Sequence, residues 1–554
     1  MTVAAAPVDR SSPHRRAGRH RSGWAGAVPW AAFVIAALPL IVAAVAIVVR
    51  APGIRWSGDR ALTELGVREA ARGRQLLGIG GRFGWRHPGP LWMQLLVPGY
   101  ELSGRAPWSL SVGAIAVHIA MVGVSIAAAT RAAGARGAAV TAAGVAVYLR
   151  ATGLLYWTNL WAGYAFTWPL LALIVVAAVA SSERDGRWAV PAALLLGSLL
   201  VQTDVSTALP VVAIGVVAFA LRGARVGARR FLGGAPAAGP GGVAPGPTPV
   251  PWAALALLAL VVAVWVPPVV QQLTKTPGNM TLLVRFARAG AGGHPLRTAA
   301  AAVGAALSVL PFGARWVLRP GFESHLGAGP WWAVAVAAGT IAAGVAVAVV
   351  GWRRGRRFAA DLAALSTIGV IVAIAAMSRV DGPLNFYLLT WITVLPVPLL
   401  VAAVLVLAPP PTSRDLVTVV ALVVAVAVGV GVTVLHGTEH DWDHAASDAV
   451  AAQSALAMNA LGASAGGLVF VHVVTSDTWP YAAGVADQLE RRGARIEVDA
   501  GWVFLFGDSF APRAARPTGE LWFARPHEAP VVRDQTGAVL LGDVAGVDVY
   551  ARQR

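Results

Sequence analysis

The chain has no cysteine among its 554 residues. A disulfide framework, a thiolate nucleophile and a cysteine metal site are thereby excluded. Charge is scarce as well. Asp, Glu, Lys and Arg together make up 13%, against roughly 25% in soluble domains. Lysine is nearly missing, and Lys275 is the only one. What fills the space is apolar: 57% of residues are hydrophobic and mean hydropathy is +0.65. Apolar runs of roughly 20 residues recur along the chain, which is the mark of a helical, polytopic membrane protein.

The net charge of +17 invites a nucleic-acid reading, and its distribution removes it. Arg10, Arg15, Arg16, Arg19 and Arg21 precede the first apolar run. Arg222, Arg225, Arg229 and Arg230 form a second cluster, and Arg353, Arg354, Arg356 and Arg357 a third. Each abuts an apolar run, as positive-inside topology requires. The first run is too long for the apolar core of a cleaved signal peptide, so it reads as an uncleaved span.

Taken in order, residues 1–27 are a basic cytoplasmic tail and 28–436 a membrane domain. Spans are expected near 28–50, 109–130, 137–152, up to 179, 189–203, 207–221, 251–270, 330–350, 360–378, 384–408 and 415–435, about eleven in all. Residues 51–106 form a first outer loop, in which 59–74 reads as a helix along the membrane surface. Residues 88–102 read as a short apolar segment broken by Pro98 and Gly99. Tyr156, Trp157, Trp161, Tyr164 and Trp168 suit either an aromatic belt or a wall for a sugar or lipid headgroup. The Pro/Gly-rich stretch 232–250 is a cytoplasmic linker. Residues 271–329 are a second outer loop, whose apolar run near 297–312 is not counted as a span. Residues 437–554 read as a small extracytoplasmic α/β domain, with strands at 468–474, 495–498, 502–506, 521–524 and 547–550 and a helix at 480–492.

The chemistry-bearing residues cluster in the first loop. Asp59 follows Ser57-Gly58 just after the first span. It suits a helix cap, and equally a general base at the rim of a cavity. Glu64 lies on the same segment. Arg82, Arg86 and His87 lead into Pro88-Gly89-Pro90, where the prolines fix the entry angle of the next helix. Such cations can hold a phosphate or serve as interface anchors. Asp204 sits at an outer tip, either as a solvated turn residue or as an acceptor ligand. His440, Asp441, Asp443 and His444 read as a polar juncture before the outer domain.

The order of first span, Gly58-Asp59, loop helix and His87-Pro88-Gly89-Pro90 resembles the polytopic GT-C glycosyltransferases. Within them it is similar to the bacterial, actinobacterial-type members that take a sugar from a polyprenyl-phosphate donor. Trp265-Val266-Pro267-Pro268, Gln271 and Gly278-Asn279 add to that likeness. The resemblance implies catalysis by Asp59 and transfer to a cell-envelope glycan, lipid or protein, by inverting displacement at the extracytoplasmic face. It implies donor-phosphate or substrate binding by Arg82, Arg86, His87 and Arg315. Acceptor contacts would come from Glu64, Asp204, Gln271 and Asn279. Asp59 is followed by Arg60 rather than a second acid, so no divalent metal or other cofactor is expected beyond the lipid-linked donor. There is no glycine-rich phosphate loop for a soluble nucleotide-sugar, and the one D-x-D, Asp441-Trp442-Asp443, lies far from the first loop in sequence. A transporter or flippase of envelope precursors is the rival reading, and a noncatalytic envelope scaffold the third. The expected location is the plasma membrane, with the N terminus cytoplasmic.

Overall fold

The computed structural model describes residues 23–50, 53–81, 83–153, 155–160, 166–181, 186–231, 252–289, 293–317, 330–410, 415–437, 442–462, 467–513 and 515–553. The basic tail to residue 22, the linker and the pair His440–Asp441 lie outside these residues. Among the described residues, eight helices are long and apolar enough to cross a membrane. Helix α1 (Gly23–Arg50) is followed by α2 (Gly58–Ala71), α3 (Leu91–Leu102) and α4 (Trp108–Thr152). At 45 residues, α4 would measure about 68 Å if straight, twice the apolar thickness of a bilayer. It is not straight. Gly134 takes φ +65, and a methyl on Gly137 would strike the Ala129 carbonyl. Residues eight apart can meet only if the chain doubles back, so α4 is a helical hairpin.

Of the shorter apolar helices, Thr167–Ala180 packs beside it, and Arg187–Thr203 packs on Thr167–Ala180 in turn. The Leu296–Leu307 helix is buried against Trp331–Arg353, where Gly304 lets two backbones touch at Ala333. Its 12 residues rise about 18 Å, short of a span. Trp157 and Trp168 are buried with ring centroids 3.6 Å apart. These two belong to the core, neither to a belt nor to a sugar-binding wall.

Among the described residues, the second and third basic clusters gather at one end of the bundle. Arg225 pairs with Asp361, Arg354 and Arg356 donate to the Val406 and Leu405 carbonyls, and Arg136 bonds Asp415 and the Pro409 carbonyl. The opposite end carries a mixed sheet of five strands in the order β2-β1-β3-β5-β4. The strands are β1 (Leu468–Val473), β2 (Arg495–Val498), β3 (Gly519–Ala524), β4 (Val539–Val544) and β5 (Val547–Gln553). The first three are parallel, and β5 runs antiparallel to both neighbours. Helices His444–Leu461 and Trp479–Arg491 cover the face that carries Val469, Val471, Leu521 and Val549.

Three expectations change. The 502–506 segment is not a strand. Trp502 closes one 3-10 turn and Val503–Phe506 forms a helical turn, ended by Gly507 at φ +122. Its uninterrupted apolar run never had the alternation of a half-buried strand. Pro98 does not break the 88–102 segment, because α3 runs through it to Leu102. Nor does α2 lie bare on a membrane surface. It is buried along most of its length between α3 and the Trp479–Arg491 helix.

Candidate functional site

The site is built on the first loop. Gly58, at φ +55, starts α2 in a backbone conformation that side chains rarely adopt. A Cβ there would lie 3.5 Å from Pro480 Cβ and 3.6 Å from the Trp479 ring. The N terminus of α2 is therefore seated under the start of the Trp479–Arg491 helix. Ser57 occupies the N-cap position, and no side-chain cap bond is made. Asp59 is thus not the cap. It sits in the first turn of the helix, half-buried. Among the described residues, nothing hydrogen-bonds or pairs with its carboxylate. Burial pushes its pKa up to about 6, with Arg60 pulling the other way. A carboxylate ionised at neutral pH, weakly acidic and unengaged, has the properties of a general base.

Arg86 lies on a tight hairpin. Gly78 N–H donates to the His87 carbonyl and His87 N–H to that of Ile79, each at 2.9 Å. Asn279 clamps the Arg86 peptide from both sides. Its Oδ1 accepts from Arg86 N–H at 2.9 Å, and its Nδ2 donates to the Arg86 carbonyl at 2.8 Å. Gln271 Oε1 in turn accepts from Asn279 N–H at 3.0 Å. Gln271 and Asn279 therefore hold the Arg86 loop in place. The Arg86 guanidinium is buried, 3.3 Å from the Cβ position of Gly507. Burial lowers its pKa to about 10 against the pull of Asp508, so it is a cation at neutral pH. Lys275 Nζ reaches within 3.9 Å of Asp508. Phe83 and Trp85 pack on Phe286 at 4.7 and 5.5 Å.

His87 and Asp204 come together, Nδ1 to Oδ1 at 3.9 Å. Nδ1 accepts from Val205 N–H at 3.2 Å, so a neutral ring carries its proton on Nε2. Asp204 Oδ1 accepts from Ser206 N–H at 2.8 Å and caps the turn. Gly89 allows this approach, since a Cβ there would collide with Gln202. Glu64 is engaged inside the protein. It is fully buried, bonded to the Tyr100 hydroxyl at 2.6 Å and paired with Arg491. Arg82 and the Arg315 side chain lie outside the described residues. Among the described residues no three His, Asp or Glu side chains gather as a metal site. Asp443 caps its own helix instead, accepting from Ala446 N–H at 2.9 Å.

No known family profile matches the sequence. No curated protein matches it either. The fold does have a counterpart among solved structures. It is similar to ArnT of Cupriavidus metallidurans. The structure of ArnT bound to undecaprenyl phosphate superposes with a TM-score of 0.51, at 14% identity, over 96% of this chain and 98% of that one. Its apo state gives a TM-score of 0.48 at 15% identity, with the same coverage. At that identity, the likeness to ArnT is one of fold: a polytopic helical bundle with a small mixed-sheet domain.

The sequence left Lys275, Asp508 and Trp479 without an assigned role at a common site. Lys275 carried a signal in being the chain's one lysine. Asp508 carried none, and nothing in the sequence tied Trp479 to Asp59, because only the fold brings residues from the far end of the chain onto the first loop. The segment Val503–Asp508 touches both α2 and the hairpin, with Leu505 against Gly80 and Asp508 near Arg86. One short segment of the outer domain therefore contacts both α2, which carries Asp59, and the hairpin that carries Arg86.

Proposed function

We propose that the chain is a GT-C-type glycosyltransferase that moves a sugar from a polyprenyl-phosphate donor to an envelope acceptor at the extracytoplasmic face. The observation that carries this reading is the half-buried Asp59 carboxylate, without a hydrogen bond among the described residues and raised to about 6, at the end of the bundle opposite the clusters of Arg225 and of Arg354 and Arg356. The ArnT structure holds undecaprenyl phosphate, which supports the donor class. Asp59 takes the proton from the acceptor hydroxyl. That oxygen attacks the anomeric carbon, and the bond from carbon to the phosphate oxygen breaks. Polyprenyl phosphate leaves as an anion and needs no strong acid. Arg86, joined by Lys275, neutralises its charge; Arg82 and Arg315 are assigned to the same phosphate from the sequence. His87 and Asp204 line the far side of the hairpin. Inversion follows from a single displacement.

The topology belongs to the same reading. Counting α4 twice and adding Thr167–Ala180 and Gly186–Thr203 gives eleven crossings. The N terminus is then cytoplasmic and residues 437–554 form an extracytoplasmic domain, with 28–436 the membrane domain. The test is binding. A structure with undecaprenyl phosphate should place the lipid phosphate beside Arg86, and a phosphate bound at the other end of the bundle would sink the reading.

A further inference from the structure

A buried ionic interface joins α2 to the Trp479–Arg491 helix. From α2 come Glu64, Arg68, Glu69 and Arg72; from the domain helix come Asp487, Glu490 and Arg491. Arg68 pairs with Asp487 and lies 3.2 Å from Glu490. Arg72 bridges Glu69 at 2.7 Å and Glu490 at 2.5 Å. Arg491 pairs with Glu64 and donates to the Arg105 carbonyl at 2.8 Å, which brings in the chain just after α3. Glu64 and Asp487 are fully buried, and Arg68 and Glu69 are 3% exposed. Four carboxylates face three guanidiniums, with Glu64, Arg68, Glu69 and Asp487 at the buried centre and Arg72 and Arg491 at the partly exposed edge.

Buried ion pairs are a poor source of net stability, because desolvation offsets the attraction. What they do supply is register. Apolar helices can slide or rotate against each other at small cost, whereas these pairs are satisfied in one arrangement only. The register matters because Asp59 stands at the other end of the same helix, nine residues before Arg68, about 13 Å along the axis. That end is seated as well, with Gly58 against Pro480 and Trp479. The helices run in the same direction, so the domain grips α2 at both ends.

We propose that this network sets the position of Asp59, and that Arg68 and Arg491 are positioning residues for it. The proposal rests on the assignment of Asp59 above. A displacement of about 1 Å at a reacting group can cost about 10²-fold in rate. The domain is then part of the catalytic machinery through its grip on α2, whatever it does for the acceptor.

The cysteine-free chain allows a direct test. Gly58→Cys with Pro480→Cys places two Cβ atoms about 3.5 Å apart, within disulfide range. Oxidation of the purified full-length protein should yield the linked peptide pair, read by mass spectrometry. Adding Arg68→Gln or Arg491→Gln should cut the linked fraction at least about fivefold, while Arg491→Lys should cut it less than about twofold, since it keeps the charge. In the cysteine-free background, R68Q and R491Q should lower kcat by about 10- to 100-fold with donor KM within about twofold, and R491K should stay within about threefold of wild type. R491K also guards against loss of folding in the Gln variants. Undiminished linkage in both Gln variants would overturn the proposal. So would lost linkage with intact kcat. If wild type transfers no sugar, the proposed function fails and the linkage experiment alone decides what holds α2.

Discussion

Asn279→Ala removes the one side chain that holds both polar groups of the Arg86 peptide. Alanine leaves a donor and an acceptor at a buried site without partners. Each such group costs about 1–3 kcal/mol, so the local penalty is about 2–6 kcal/mol, at the low end where water enters. Even about 2 kcal/mol makes local opening roughly 30-fold more frequent. The hairpin amides report this directly. Exchange at His87 and Gly78, whose N–H groups close the hairpin, should accelerate by at least about tenfold, while the sheet of residues 468–553 stays protected. Affinity for polyprenyl phosphate should fall with it, because the Arg86 cation is no longer held under Asp508. Hydrogen exchange and lipid binding on the same detergent-solubilised sample supply both numbers. Unchanged exchange at His87 in a folded protein would refute the clamp. Accelerated exchange with wild-type lipid affinity would separate the loop from donor recognition.

Other outcomes follow from the same geometry. Activity should rise with pH through an acid limb near 6, since Asp59 works only once deprotonated; a kcat/KM profile flat from pH 5 to 7.5 would remove it as the base. Arg86→Gln should weaken donor binding by about tenfold or more, the loss of a charge-assisted contact, and leave acceptor binding unchanged; titration with each ligand separates the two. Reporter fusions at Ala235 and Arg552 should fall on opposite sides of the membrane, Ala235 inside, and the same side for both would break the topology.

How much of this the sequence disclosed differs from element to element. The membrane helices were legible because Ala, Val and Leu runs leave few other fates. The reversal inside α4 was signalled by Arg131 and Arg136 interrupting an apolar stretch. The His444–Leu461 helix was missed because its alanines blur any apolar stripe, and β4 because its side chains are largely exposed. Asp59, Arg86, Gln271 and Asn279 stood out as polar groups beside apolar runs, and the fold brings the last three together. The true engagement of Glu64 could not be read, since its partner Arg491 lies 427 residues away. The surroundings of Trp522 were equally closed to the sequence: His472 stacks on its ring at 4.8 Å and Arg552 lies over it at 5.4 Å.

The central claim rests on Asp59 and is tested by Asp59→Asn. The exchange is isosteric and breaks no hydrogen bond among the described residues. Raising the carboxyl from 3.8 to about 6 means that its ionised form weakens the fold above that pH, by up to about 3 kcal/mol. The neutral amide should therefore be at least as stable at pH 7.5 as the wild type. Loss of a positioned base costs about 10²–10⁴ in rate. The measurement is sugar transfer from a polyprenyl-phosphate donor by purified wild type and D59N, with donor affinity and thermal midpoint recorded on the same preparations. The account predicts a folded, donor-binding variant slowed by at least about 10²-fold; a stable D59N that turns over at the wild-type rate would contradict it.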